Sequence, residues 1–209
     1  LPPFSAKLLE KYGSDYGSLN ELRAKISENP ERYPLRKAVL RALGVFREQA
    51  NTRQSFLTEL RVNNPEVKKR ILEAQRLPAK KILEWEEVLA ELKEAGKEKA
   101  KETSPRWRAH YDFVLACVEA RMAFLYEYDH MLGKVRKDEL PELDKSRQSW
   151  RMVARDKLNT KDTRTFAAEA KKGLDRVIEE HRGTPWEVLA KRERLAALGL
   201  EWQAVLLGE

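Results

Sequence analysis

The chain has 209 residues, 36% of them charged and 42% apolar, with a net charge of +7 and a pI of about 9.4. A single cysteine excludes an internal disulfide, and no apolar run approaches the length needed to cross a bilayer. Ala, Leu, Glu, Lys and Arg dominate, and runs of Val, Ile and Thr are missing, so the composition predicts an all-α protein.

Ser5 opens a short helix that runs to about Lys11. A turn through Gly13 and Gly17 leads to a second, with Ser18 as its cap and Asn29-Pro30 as its stop. From Pro34, the residues Leu35, Val39, Ala42, Leu43, Phe46 and Ala50 recur at helical spacing. Phe56, Leu57 and Leu60 extend the pattern as one long helix, until Asn64 caps a new one that has Pro65 at its first position. Pro78 then removes a hydrogen bond and is expected to end or kink the helix near Leu77.

Ile82, Trp85, Leu89, Leu92 and Gly96 step alternately by three and four, the spacing of a coiled-coil seam. A polar loop ends at Pro105, and Trp107, Tyr111, Val114, Val118, Met122 and Leu125 form a second seam. The two predict a long antiparallel hairpin over 79–132. Its second helix is apolar nearly all round and should be the most buried element. Gly133 is expected to stop it, and the charged stretch 134–145 is the candidate domain boundary, dividing 1–145 from 146–209.

Beyond the boundary, Trp150-Arg151-Met152-Val153-Ala154-Arg155 returns after 36 residues as Trp186-Glu187-Val188-Leu189-Ala190-Lys191. A recurrence at that period predicts stacked helices, the first capped near Ser146 and spanning 150–158. Phe166, Ala167, Ala170, Leu174, Val177 and Ile178 mark the helix between them. Thr184-Pro185-Trp186-Glu187 has the form of a capping box, and Gly199 is expected to end the last helix in the left-handed conformation, with Leu200 and Trp202 folding back.

The stretch 146–202 resembles a tetratricopeptide-type (TPR-like) helical repeat. Trp150, Val153 and Ala154, and again Trp186, Leu189 and Ala190, match that family's Trp, aliphatic and small positions. Lys157 and Glu193 stand where the family has an aromatic, and Arg182 where the joint has a proline. The joint around Leu174, Val177, Ile178, His181 and Gly183 is similar to those of bacterial outer-membrane assembly lipoproteins. The residues from Tyr111 to His130 are more loosely similar to C-terminal helical regions of bacterial von Willebrand A-domain proteins. Both resemblances imply a bacterial interaction or envelope protein. Leu1 stands where a methionine would start a reading frame, so the chain reads as a piece of something longer, and its compartment stays open.

Chemistry has little to recommend it. Glu127-Tyr128-Asp129-His130 carries the Glu-x-x-His spacing of di-iron bundles, but no second motif completes such a shell. His110 reads as packed within the hairpin, His181 as a helix-end cation, and Cys117 as a small core residue. No catalytic residue, cofactor or metal site is predicted. The five tryptophans each sit on an apolar helical phase, which predicts core packing. Tyr126 and Tyr128 cannot both face the core of one helix, so one of them is a candidate partner anchor. Arg36 and Arg47 are the candidate anion contacts in the basic stretch 31–64, where seven Lys and Arg face three acids. The expected function is a non-enzymatic protein-interaction or scaffold module that receives a protein or peptide partner. The alternative is electrostatic binding of nucleic acid or another polyanion through 31–64.

Overall fold

Ser5 starts the first helix and Asn29-Pro30 stops the second, as those residues dictate. In the computed structural model, which describes residues 5–13, 19–51, 56–61, 67–144 and 147–206, α1 spans Ala6–Tyr12, with the Ser5 hydroxyl accepting from the Leu8 N–H at 3.3 Å. Helix α2 spans Leu19–Glu28 and α3 Pro34–Asn51. The α3 helix ends at Asn51 instead of running on. Glu59–Arg61 form a strand, β1, so the expected continuation through Leu57 and Leu60 is corrected. The expected caps Ser18, Asn64 and Ser146, with Gly17 and Pro65, lie outside the described residues.

The hairpin forms, and is longer than its seams suggested. Helix α4 spans Val67–Gly96 and continues through a buried Pro78, so that proline does not end it. A single 3-10 turn at Lys99–Lys101 leads to α5, Pro105–Arg136, which passes Gly133 without stopping. The Tyr111 hydroxyl donates to the Leu92 carbonyl at 3.1 Å, and a side chain at Gly96 would collide with the Tyr111 ring. Removing the Cβ there lets the two seams close.

After α5 the architecture departs from all-α. Ser149–Arg155 form strand β2, Lys161–Glu180 helix α6, Pro185–Glu193 helix α7, and Gly199–Val205 strand β3. The molecule is therefore mainly helical with a small antiparallel sheet of order β1-β2-β3. The expected pair of stacked tryptophan helices is not formed. Trp150 lies on a strand and packs with one apolar cluster, whereas Trp186 lies on α7 in another. Gly199 opens β3 rather than ending a helix, and a Cβ there would meet the backbone carbonyls of Arg155 and Lys157.

Two compact units divide the chain, each built from separate segments: 1–52, 86–119 and 168–196 in one, and 53–85, 120–167 and 197–209 in the other. The expected boundary near 145 falls inside the second.

In the first unit, Tyr12, Ala109, Ala116, Leu174, Val177, Trp186 and Ala190 form a buried cluster, flanked by Leu8, Phe113 and Ile178. In the second, Leu60, Met152, Leu200 and Trp202 pack on Ile71, Tyr128, Met131, Leu132 and Val135. Register explains that face. Leu60 is opposite Trp150, Met152 opposite Trp202, and Ala154 opposite Leu200, so these residues share one side of the pleat. The other side carries the cross-strand pairs Arg151–Glu59 at 3.0 Å and Arg155–Glu201 at 2.9 Å. Helix α5 supplies buried residues to both units from Trp107 to Val135, as its all-round apolarity predicted. Trp85, Trp107, Trp186 and Trp202 are buried and Trp150 half-buried, so core packing accounts for the tryptophans.

Candidate functional site

The sequence-predicted contacts do not come together. Tyr128 is buried, accepting from the Leu57 N–H at 2.7 Å and donating to the Leu57 carbonyl, so it is a core residue and no anchor. Tyr126 is half-buried and stacks on Phe166 with ring centroids 5.5 Å apart. Arg36 forms a bidentate pair with Glu102, both bonds 2.8 Å, and lies over the Trp107 and Tyr33 rings. Arg47 is exposed on α3. The basic stretch is further neutralised where Arg41 pairs with Glu87 and Glu91.

Glu127 is fully buried in the second unit. It accepts from the Asn159 side chain and N–H and from the Leu200 N–H, tying the turn after β2 to the start of β3. Its Glu-x-x-His spacing is therefore structural. Cys117 is half-buried. His110 is half-buried against Trp107 and Trp186, where burial and the nearby Arg106 charge push its imidazole down to about 4.

A different constellation sits in the first unit. Lys11 and Tyr12 end α1, Lys99 lies in the 3-10 turn, and Pro105, Arg108 and Asp112 share one face of α5 at spacings of three and four. Glu180 ends α6 and His181 follows it. These eight residues line a cavity of about 280 Å³.

Asp112 is at its floor, almost fully buried. Both its oxygens are 2.6 Å from Lys99 Nζ, Arg176 is at 3.5 Å, and His181 Nε2 at 3.4 Å. Burial alone would raise this carboxyl. Hydrogen bonds from His181 and Lys99, with the charges of Lys99 and Arg176, outweigh burial and hold it below the ordinary carboxylate value. An ionised Asp112 can only accept, so Nε2 donates to it. The opposite nitrogen, Nδ1, is 3.1 Å from the Tyr12 hydroxyl, completing a Tyr12–His181–Asp112 chain. Burial raises the Tyr12 hydroxyl and the Arg108 charge partly opposes this.

Ligand atoms of Asp112, Glu180 and His181 lie within 4.8 Å of one another, near enough for a cation to bridge. Lys99 argues against one. Its ammonium already spans both Asp112 oxygens, and a metal would have to displace it beside Lys11 and Arg108. Among the described residues, neither Lys11 nor Arg108 has a carboxylate partner; Lys11 lies over the Tyr12 ring. The cavity lining thus sets three cations, Lys11, Lys99 and Arg108, against two acids, Asp112 and Glu180, and this positive excess attracts negative charge.

The sequence marks His181 and Lys11 as helix ends and Pro105 as the end of a loop, and singles out none of the eight lining residues as a site residue. The available signal was Asp112 itself, an acid in the apolar run Tyr111-Asp112-Phe113-Val114-Leu115. No family model, curated protein or solved structure matches this chain.

Proposed function

We propose that the chain is a non-enzymatic interaction module that receives an anionic group of a partner polypeptide, a carboxylate or phosphate, in the cavity between α1, α5 and α6. The observation that carries this reading is the pairing of Lys11 and Arg108, without carboxylate partners among the described residues, with an Asp112 already held by Lys99, Arg176 and His181. An anion entering there meets two cations that no acid among the described residues pairs with. Fork-shaped Arg108 suits bidentate contact with a planar or tetrahedral oxyanion. The engaged state of Arg36 and Arg41 gives the polyanion alternative less support.

The test is calorimetric titration of the whole chain with inorganic phosphate and with a short glutamate-rich peptide at low salt. Binding should weaken by about tenfold or more in Arg108→Ala, the scale of one lost charge-assisted contact, and stay unchanged in Arg47→Ala. Failure of both anions to bind would sink the reading. So would binding that ignores the loss of Arg108 and Lys11 together.

A further inference from the structure

Among the described residues, features outside ordinary packing include the Asp112–Glu180–His181 cluster, the seven-residue β3 strand at one edge of the sheet, and the exposed apolar residues Val188, Leu189 and Leu195 of α7 and its following turn. Nothing in the structure says what would cover the strand edge or the α7 face. The cluster does define its occupant. It rests on the anion-binding reading above and narrows it to one kind of oxyanion.

An anion-binding cavity built only for charge would be lined by donors. This one also presents acceptors. Glu180 is exposed at the end of α6 and makes no hydrogen bond or ion pair among the described residues. Its carboxylate oxygen nevertheless lies within 4.8 Å of an Asp112 oxygen and a His181 nitrogen. A carboxylate only accepts, so an oxyanion without hydrogen, such as sulfate, would face repulsion there. A ligand that combines negative charge with an O–H donor satisfies both halves: its oxygens meet Lys11 and Arg108, and its hydroxyl donates to Glu180. A metal ion satisfies only the acceptors. A simple carboxylate satisfies only the cations.

We propose that the cavity selects a phosphate that still carries a proton, with Glu180 as the residue that reads the proton and Arg108 and Lys11 as the residues that hold the charge. This requirement also separates two sources of the group. A phosphoryl group on a side chain loses its last proton near pH 6, whereas inorganic phosphate keeps one throughout the neutral range.

The test titrates the whole chain with inorganic phosphate, sulfate and glycine at pH 7, and with a phosphoserine peptide at pH 5.5 and 7.5. Phosphate should bind about ten- to a hundredfold tighter than sulfate, the range spanned by one hydrogen bond to a charged group. Glu180→Gln, whose amide can donate to sulfate, should bring the two to near equality. Exposure of Glu180 keeps that variant folded, which circular dichroism would check. If a phosphorylated side chain is the source, the peptide should bind at pH 5.5 and weaken at 7.5 while inorganic phosphate does not. Equal affinity for phosphate and sulfate in the unmodified chain overturns this proposal but leaves the anion site standing. Preference retained in Glu180→Gln, or tighter binding of zwitterionic glycine, also overturns it. Absence of any anion binding removes the earlier reading instead.

Discussion

Asp112, Glu119 and Glu127 stand at spacings of seven and eight along α5, and all three are buried. Each is handled differently. Asp112 is surrounded by donors and kept ionised. Glu119 is pushed up by burial despite Lys93 at 3.7 Å, and Glu127 binds the backbone and side chain of Asn159 and the Leu200 N–H. A buried carboxylate is tolerated only where partners replace its water, so these positions mark where polar chemistry had to be built. Their spacing was visible in the sequence; their partners, up to 73 residues away, were not. His110 offers a residue-scale test of burial. Its folded value of about 4 lies below the ordinary 6.5, so the unfolded chain takes up the proton first. Its contribution is intact above about pH 6.5 and is lost as the pH falls towards 4, by roughly 3 kcal/mol at most. Urea unfolding at pH 7, 5.5 and 4.5 should therefore show a flatter acid limb in His110→Gln than in the unmodified chain. Parallel curves for the two would exclude His110 as the source.

At the scale of elements, the residues around Trp150 fit two periods at once. Trp150-Arg151-Met152-Val153-Ala154-Arg155 has the apolar residues Trp150 and Val153 three apart, which suits a helix, but it also alternates, with Trp150, Met152 and Ala154 on one side and Arg151, Val153 and Arg155 on the other. Gly199-Leu200-Glu201-Trp202-Gln203-Ala204 alternates in the same way. A short run satisfies both templates, and only the partner strand decides between them. Cross-strand pairing of Met152 with Trp202 buries the apolar side, so a charge should be costly there and cheap across the pleat. Met152→Lys should lower the unfolding free energy by about 2–4 kcal/mol, read as a lower urea midpoint, while Val153→Lys should change stability by about 0.5 kcal/mol or less. Equal effects of the two would show that the strand does not hold this register. The start of α7 was legible, with one exchange of roles. Thr184 takes the cap conformation, but its hydroxyl donates to the His181 carbonyl, and Glu187 instead accepts from the Gly183 N–H at 2.6 Å. Gly183 supplies the positive φ of 76° that this turn requires.

For the whole molecule, the chain order conceals the units. Helices α4, α5 and α6 each contribute one part to each unit, so no single cut in the sequence separates them. A chain ending at residue 145 keeps the long hairpin but loses most of α6 and all of α7 from one unit, and β2, β3 and the start of α6 from the other. It should retain helical circular dichroism, bind a hydrophobic dye, and unfold in urea without a cooperative transition. A sharp, reversible transition in that fragment would mean that 1–145 is a domain after all.

Helix content, the hairpin, the burial of α5 and the core placing of the tryptophans follow from the sequence because each depends on local propensity and on apolar spacing along one segment. The strands, the two units and the cavity do not, because each depends on which remote segments meet. Lys11, Lys99, Asp112 and His181 are unremarkable charged or polar residues until four segments set them around one space, and Tyr128 is a surface candidate until the backbone of Leu57 claims its hydroxyl. Periodicity can say that a side chain faces inward. What it finds there is decided by the tertiary fold.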